Sequence, residues 1–340
     1  MANDIERYSI WQLKNTNLNF EEIQVLLKEN YNKVINFINN KDELEEHEYT
    51  LNNKWIDKNG SNIFEVETFI NPTTQLETEF IFARGFYESS SGIEKSYVNG
   101  KLLPRETRIF NHSFEACFFK MKDNFYVALK CNKTESSRIR SSLLKFKREN
   151  ADKNLWGSII YNEPLNYKLD SNFFYWLIYK KYKKGDIKIS HNSLKVLDIS
   201  RTIQNLNTYV THNMGEDLLS STSALSGFGE NHIINEAGAM LVSNQMVIAL
   251  ILTKDGVIYL DKTESNLPDL DGFKETSLYL YSYLLPELLK TYSLEFNSED
   301  KTQELISDAR KEWALNAIIN LCDSNSILIE EIEEKLESNE

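Results

Sequence analysis

Apolar and polar positions change rhythm along the chain, and the changes divide it into three textures. Over the first forty residues Ile23, Leu26, Leu27, Val34, Ile35 and Ile38 recur at roughly helical spacing. Asn15, Asn17 and Asn19 stand before Glu21-Glu22-Ile23 as N-cap candidates, because a short polar side chain there satisfies free backbone N–H groups. The opening therefore reads as helical. An acidic run from Asp42 to Glu48 follows and reads as a solvated helix end or loop.

From Lys54 the period shortens. Residues 63–70 alternate with period two, and Phe80-Ile81-Phe82-Ala83 reads as a buried strand. Residues 114–122 and 125–130 flank Lys122-Asp123-Asn124, a hairpin signal. Residues 134–147 predict a basic amphipathic helix with Ile139, Leu143, Leu144 and Phe146 apolar; a strand at 157–161, a helix at 172–181 and a strand at 187–189 follow. Residues 214–244 are the most loop-like, with Gly215, Ser220 to Ser223 and Ser226-Gly227-Phe228-Gly229. Residues 245–253 form the strongest strand pattern, and their continuous apolar run predicts burial on both faces. Lys254-Asp255-Gly256 predicts a tight turn into a partner strand at 257–261. The remainder reads as helical at 274–292, 301–321 and 327–336, with Pro286 expected to kink or divide the first of these.

This order, with no regular strand–helix alternation, predicts an α+β fold: N-terminal helices, a central mixed or antiparallel sheet with packed helices, and a C-terminal helical region. The expected division is an N-terminal helical segment 1–50, a basic α+β domain 51–200, and a second α+β region 201–340 that carries the hairpin 245–261. Length and composition agree. With 340 residues, 41% hydrophobic and 26% charged, the chain has enough apolar material for a core and is not disordered. Cys117, Cys131 and Cys322 are too few and scattered for a disulfide framework or zinc site. No apolar run reaches membrane-spanning length, and the first residues lack a signal-peptide pattern, so a cytoplasmic location without membrane insertion is expected.

Charge changes the picture more. The net charge of −13 hides an excess of basic residues between Lys101 and Arg201, and the acidic excess lies outside that stretch. A basic segment attracts phosphates because each contact releases condensed counterions. Lys130, Lys133, Arg138, Arg140, Lys145, Lys147, Arg148, Lys180, Lys181, Lys183 and Lys184 are the candidate nucleic-acid contacts. Phe118, Phe119, Phe125, Tyr126, Phe173, Phe174, Tyr175, Trp176, Tyr179 and Tyr182 stand among them and could stack on bases. The competing reading makes these aromatics core residues and pairs the lysines with the acidic ends.

Candidate catalytic chemistry is sparse. His232 and Glu236 would share a helix face, but no third metal ligand accompanies them. Ser226-Gly227-Phe228-Gly229 departs from GxGxxG at His232, and no P-loop or GxSxG elbow is present. For a metal-dependent nuclease the nearest carboxylates are Glu115 and Asp123, with Lys120 and Lys122 nearby. Eight residues of extended strand separate them by roughly 26 Å, a poor metal pair. No catalytic residue, metal ligand or cofactor is therefore expected.

The hairpin Ala116-Cys117-Phe118-Phe119-Lys120-Met121-Lys122-Asp123-Asn124-Phe125-Tyr126-Val127-Ala128-Leu129-Lys130 is followed by the polar, basic helix 134–147. The 157–161 strand, a helix, Lys184-Gly185-Asp186-Ile187-Lys188-Ile189 and the apolar strand 245–253 come next. This order, over just more than half the chain, resembles the RexA family of prophage-encoded phage-exclusion proteins. The chain is longer than that family's, and its ends are acidic. The resemblance implies a non-enzymatic DNA-binding sensor that dimerises and acts with a small membrane partner. The expected function is thus nucleic-acid binding, DNA ahead of RNA, as a sensor or effector component of antiphage defence, with homo-oligomerisation and a protein partner, membrane-associated in that family. A protein-interaction or scaffold subunit is the first alternative and a metal-dependent nuclease the second.

Overall fold

The structure, a computed structural model, describes residues 4–15, 18–144, 156–190, 192–206, 209–296 and 299–338. It is a mixed α+β fold with extensive antiparallel pairing. The chain divides into two compact units, each assembled from separated segments. The first unit comprises Arg7–Leu165 and Asp269–Tyr283; the second comprises Met1–Glu6, Asn166–Pro268 and Leu284–Glu340. This division differs from the three consecutive segments expected from the sequence, whose boundary after residue 200 would cut the strand Asn192–Leu206.

In the first unit the central strand covers Ile5–Lys14, where the sequence reads as helical. Tyr8, Ile10, Trp11 and Leu13 are buried there, aromatic and β-branched residues being well suited to a pleated surface packed against neighbours. It pairs antiparallel with both Asn124–Lys130 and Ser158–Ile160. The sheet continues through Ile109–Met121 to Glu77–Ser90, with Lys54–Ile56 and Glu67–Ile70 beyond. Among the described residues of the expected N-terminal helical segment, Phe20–Leu27 is the one helix longer than a single turn, and Asn19 caps it by accepting from the Glu22 N–H at 2.7 Å. The expected hairpin turns at Lys122, which takes a left-handed φ of 54°, and sets Met121 opposite Asn124. The core behind this sheet centres on Trp11, Phe118, Val127, Ile139, Leu143 and Trp156.

In the second unit Asn192–Leu206 pairs with Asp186–Ile189 and Tyr209–Met214 on one side and Ile233–Val242 on the other. Val247–Thr253 and Ile258–Asp261 complete the run, joined by the expected turn with Gly256 at φ 74°. The helix Ser171–Tyr182 is buried at every position from Phe173 to Ile178, packed against Asn192–Leu206 and Ile233–Val242. The loop-like stretch 214–244 instead holds the helix Thr222–Gly229 and the strand Ile233–Val242. Glycines belong inside that helix for a packing reason: a Cβ on Gly227 would lie 1.9 Å from Gln204 Oε1, and one on Gly229 would lie 2.8 Å from the Ala314 Cβ. The expected break at Pro286 takes the form of a π-helical turn, Tyr279–Leu284, ahead of the helix Leu285–Phe296. The helices Glu299–Asn325 and Ile329–Glu337 close the chain. Among the described residues, no helix is long and apolar enough to cross a membrane.

The apolar strand Val247–Thr253 corrects one expectation. Ile248, Leu250 and Leu252 are buried, whereas Val247, Ala249, Ile251 and Thr253 are only half-buried. Antiparallel sheets can leave one face less covered than the other, and this strand does.

Candidate functional site

The basic candidates separate between the two units. Lys130, Lys133, Arg138 and Arg140 belong to the first unit, and Lys180, Lys181, Lys183 and Lys184 to the second. Lys145, Lys147 and Arg148 lie outside the described residues.

In the second unit Lys180, Lys181 and Lys183 are engaged by the protein itself. Lys180 Nζ pairs with Glu295 Oε1 at 2.8 Å and donates to the Asp186 carbonyl at 3.2 Å. Lys181 donates to the Leu197 carbonyl, and Lys183 Nζ pairs with Glu312 Oε2 at 3.0 Å. Lys184 is exposed on the left-handed turn that ends the helix. The Lys183 ammonium is held above its usual range by its bond to Glu312, a gain that exceeds the cost of burial. Of the ten aromatics, only Tyr179 and Tyr182 are even partly exposed. Phe118, Phe119, Phe125, Tyr126, Phe173, Phe174, Tyr175 and Trp176 are all buried, so exposing them to bases would require unfolding. Burial follows from their positions: two of the groups lie on interior strands, and the other fills a helix covered on all sides.

In the first unit the helix Lys133–Leu143 opens with a capping box. Asn132 accepts from the Glu135 N–H and Glu135 accepts from the Asn132 N–H, both at 2.8 Å. This fixes the start of the helix and thereby the direction of its side chains. Ile139 and Leu143 enter the core, and Lys133 and Arg138 point outward. Arg140 does not. Its guanidinium lies 3.7 Å from the Tyr161 ring centroid and 5.3 Å from that of Trp11, and burial lowers its pKa. Lys130 ends the strand Asn124–Lys130, half-buried opposite Glu115 and Tyr8 in the two ladders.

Arg138 borders a polar cleft of about 500 Å³. The strands Glu77–Ser90 and Ile109–Met121 supply Ser89, Ser90, Phe110 and His112, and the segment 91–95 supplies Ser91, Lys95 and Glu94. Their register places Ser89 opposite Phe110 and Tyr87 opposite His112. The His112 ring stacks on that of Tyr87, centroids 4.7 Å apart and planes 14° apart, and His112 Nε2 lies 2.8 Å from Ser89 Oγ. Tyr87 is buried beneath, its phenol pushed up to about 12 by desolvation and the Glu135 charge, with Arg138 acting against them. Phe110 is 51% exposed, an aromatic that lines the same cleft as two cations. The cleft therefore joins hydroxyls, an imidazole, a guanidinium and an ammonium around an open ring, with Glu94 as its one carboxylate. Sequence patterning identifies Arg138 but misses Ser89, Phe110 and His112, which only the cross-strand register brings together.

The other candidates resolve separately. His232 and Glu236 do not share a helix face, because the chain is extended there. His232 Nε2 lies 3.1 Å from Glu230 Oε2, and Glu236 Oε1 lies 2.6 Å from Arg201 Nε. Ser221 caps the helix Thr222–Gly229. Glu115 faces Arg84 at 3.7 Å, and Asp123 lies in the turn at the far end of the hairpin. Among the described residues, no group of three or more His, Cys, Asp or Glu side chains is placed to hold a metal ion. No protein-family model matches the chain, and no curated protein matches it.

Proposed function

We propose that the chain is a nucleic-acid-binding protein that holds a single strand at the cleft of its first unit. Phosphate would meet Arg138 and Lys95, with Ser89 and His112 offering hydrogen bonds, and a base would lie on Phe110. The exposed Phe110 beside Arg138 carries this reading, since an aromatic platform next to cations binds bases without regard to sequence. The setting in antiphage defence rests on the element order shared with the RexA family. The test is a titration of fluorescent single-stranded and duplex DNA at two salt concentrations. Arg138→Glu should weaken binding to both and lower the salt slope by about one. Phe110→Ala should cost about 1–3 kcal/mol on the single strand and leave the duplex unchanged. Unaltered single-strand binding in both variants would overturn the assignment.

A protein-interaction role has its own observation. Leu315, Ile318, Ile319 and Leu321 are exposed on the helix Glu299–Asn325, and Leu328 and Ile329 are exposed just after it. Spacing of three and four residues places Leu315, Ile318 and Ile319 on one face, an apolar stripe suited to another helix.

A further inference from the structure

The partly covered face of the second unit's sheet holds a groove of about 410 Å³, a volume within the range of small-ligand sites. Its floor follows from the strand register. One level runs Asp198, Met240, Ala249, and the next runs Arg201, Gly238, Ile251, Tyr259. Gly238 and Ala249 keep the middle of both levels low, while longer side chains rise on either side. Register shifts between Val196 and Asp198 and between Ile199 and Arg201 interrupt the alternation of Asn192–Leu206. Such irregularities re-aim side chains, and here Asp198 and Arg201, three positions apart, both line the groove.

The rim has a pronounced sign. Asp198, Glu216, Asp261 and Glu264 line it, and the cation among the described lining residues is Arg201, whose Nε lies 2.6 Å from Glu236 Oε1. An apolar floor beneath a rim with more carboxylates than cations is complementary to a molecule with an apolar body and a positive head. Anions and nucleic acid would be repelled. We propose that this groove binds an organic cation, an amine carried on a compact apolar body, with Asp198 meeting the ammonium and Met240, Ile251 and Tyr259 meeting the body. The site belongs to the other unit from the cleft and does not depend on the nucleic-acid reading.

Methionine methyl resonances provide the readout. Of the chain's five methionines, Met214 and Met240 line the groove and Met121 belongs to the first unit. The probes are 4-phenylbutylamine and 4-phenylbutyrate, which share a body and differ in the sign of the head. The amine should shift the Met214 and Met240 signals saturably, leave Met121 in place, and bind roughly tenfold or more tightly than the acid. Asp198→Asn should weaken the amine and narrow the difference, and Ala249→Trp should fill the floor and abolish both. Folding of each variant is checked by the signal of Met246, which is buried in the same unit as the groove and does not line it. Absence of a saturable shift at the two methyls, or equal binding of amine and acid, would overturn the proposal. So would an Asp198→Asn variant that folds and binds the amine as tightly as the parent.

Discussion

Arg140 and Lys183 show two ways in which a cation leaves the set that meets phosphate. Arg140 is covered by Tyr161 and Trp11, so its charge sits on aromatic faces. Lys183 stays near the surface, but Glu312 beside it cancels the local positive field, as Glu295 does for Lys180. Lys183→Gln is therefore expected to leave DNA affinity and its salt slope within error of the parent, measured in the same titration as Arg138→Glu. A third residue links charge to stability. Burial alone would raise the Glu287 carboxyl, but the Ser190 hydroxyl and N–H and the Lys290 ammonium outweigh it and hold the pKa below the usual carboxylate range. A carboxyl depressed in the folded state stabilises above its unfolded pKa, and the gain is lost as pH falls through the folded value. Glu287→Gln should consequently melt below the parent at neutral pH. The gap between the two thermal midpoints should close as the medium is acidified through that folded value.

Elements set by their own residues were legible in the sequence, and those set by distant neighbours were not. The helix Lys133–Leu143 announces itself through Asn132 and Glu135, which act within one turn. Asn132→Ala should cost about 1 kcal/mol and lower the thermal midpoint by roughly 2–4 °C, read by calorimetry. The hairpin around Lys122 and the turn at Gly256 are local in the same way. Tyr8 to Leu13, by contrast, carry apolar residues compatible with either period. They become a strand because residues 125–130 and 158–160 lie on both sides of them. The strand Ile233–Val242 likewise depends on Asn192–Leu206 and Val247–Thr253, which no window of a dozen residues contains. The candidate site follows the same rule. The charge of Arg138 is visible in the sequence, whereas the meeting of Ser89 with His112 is a diagonal across a ladder and has no sequence period.

At the scale of the whole molecule the basic stretch 101–201 spans the boundary after Leu165 and is shared by two units, so linear charge density overstated the surface of either. The apolar stripe of the last helices belongs to this scale too. Removing residues 327–340 leaves the helix Glu299–Asn325 whole. If Leu328 and Ile329 serve association, light scattering should show a lower oligomeric mass than for the full chain; an unchanged mass would assign those two residues no such role.

The interleaved segments also dictate a timetable. A ribosome releases Arg7–Leu165 early, but that unit still awaits Asp269–Tyr283, which carries the buried Phe273, Leu278 and Leu280. The other unit draws on three separated segments, residues 1–6, 166–268 and 284–340. During synthesis the nascent chain therefore holds two unfinished cores at once. Unit-by-unit assembly along the chain is closed to this topology, and its yield should depend on chaperones that shield the unfinished cores until residues 269–340 emerge.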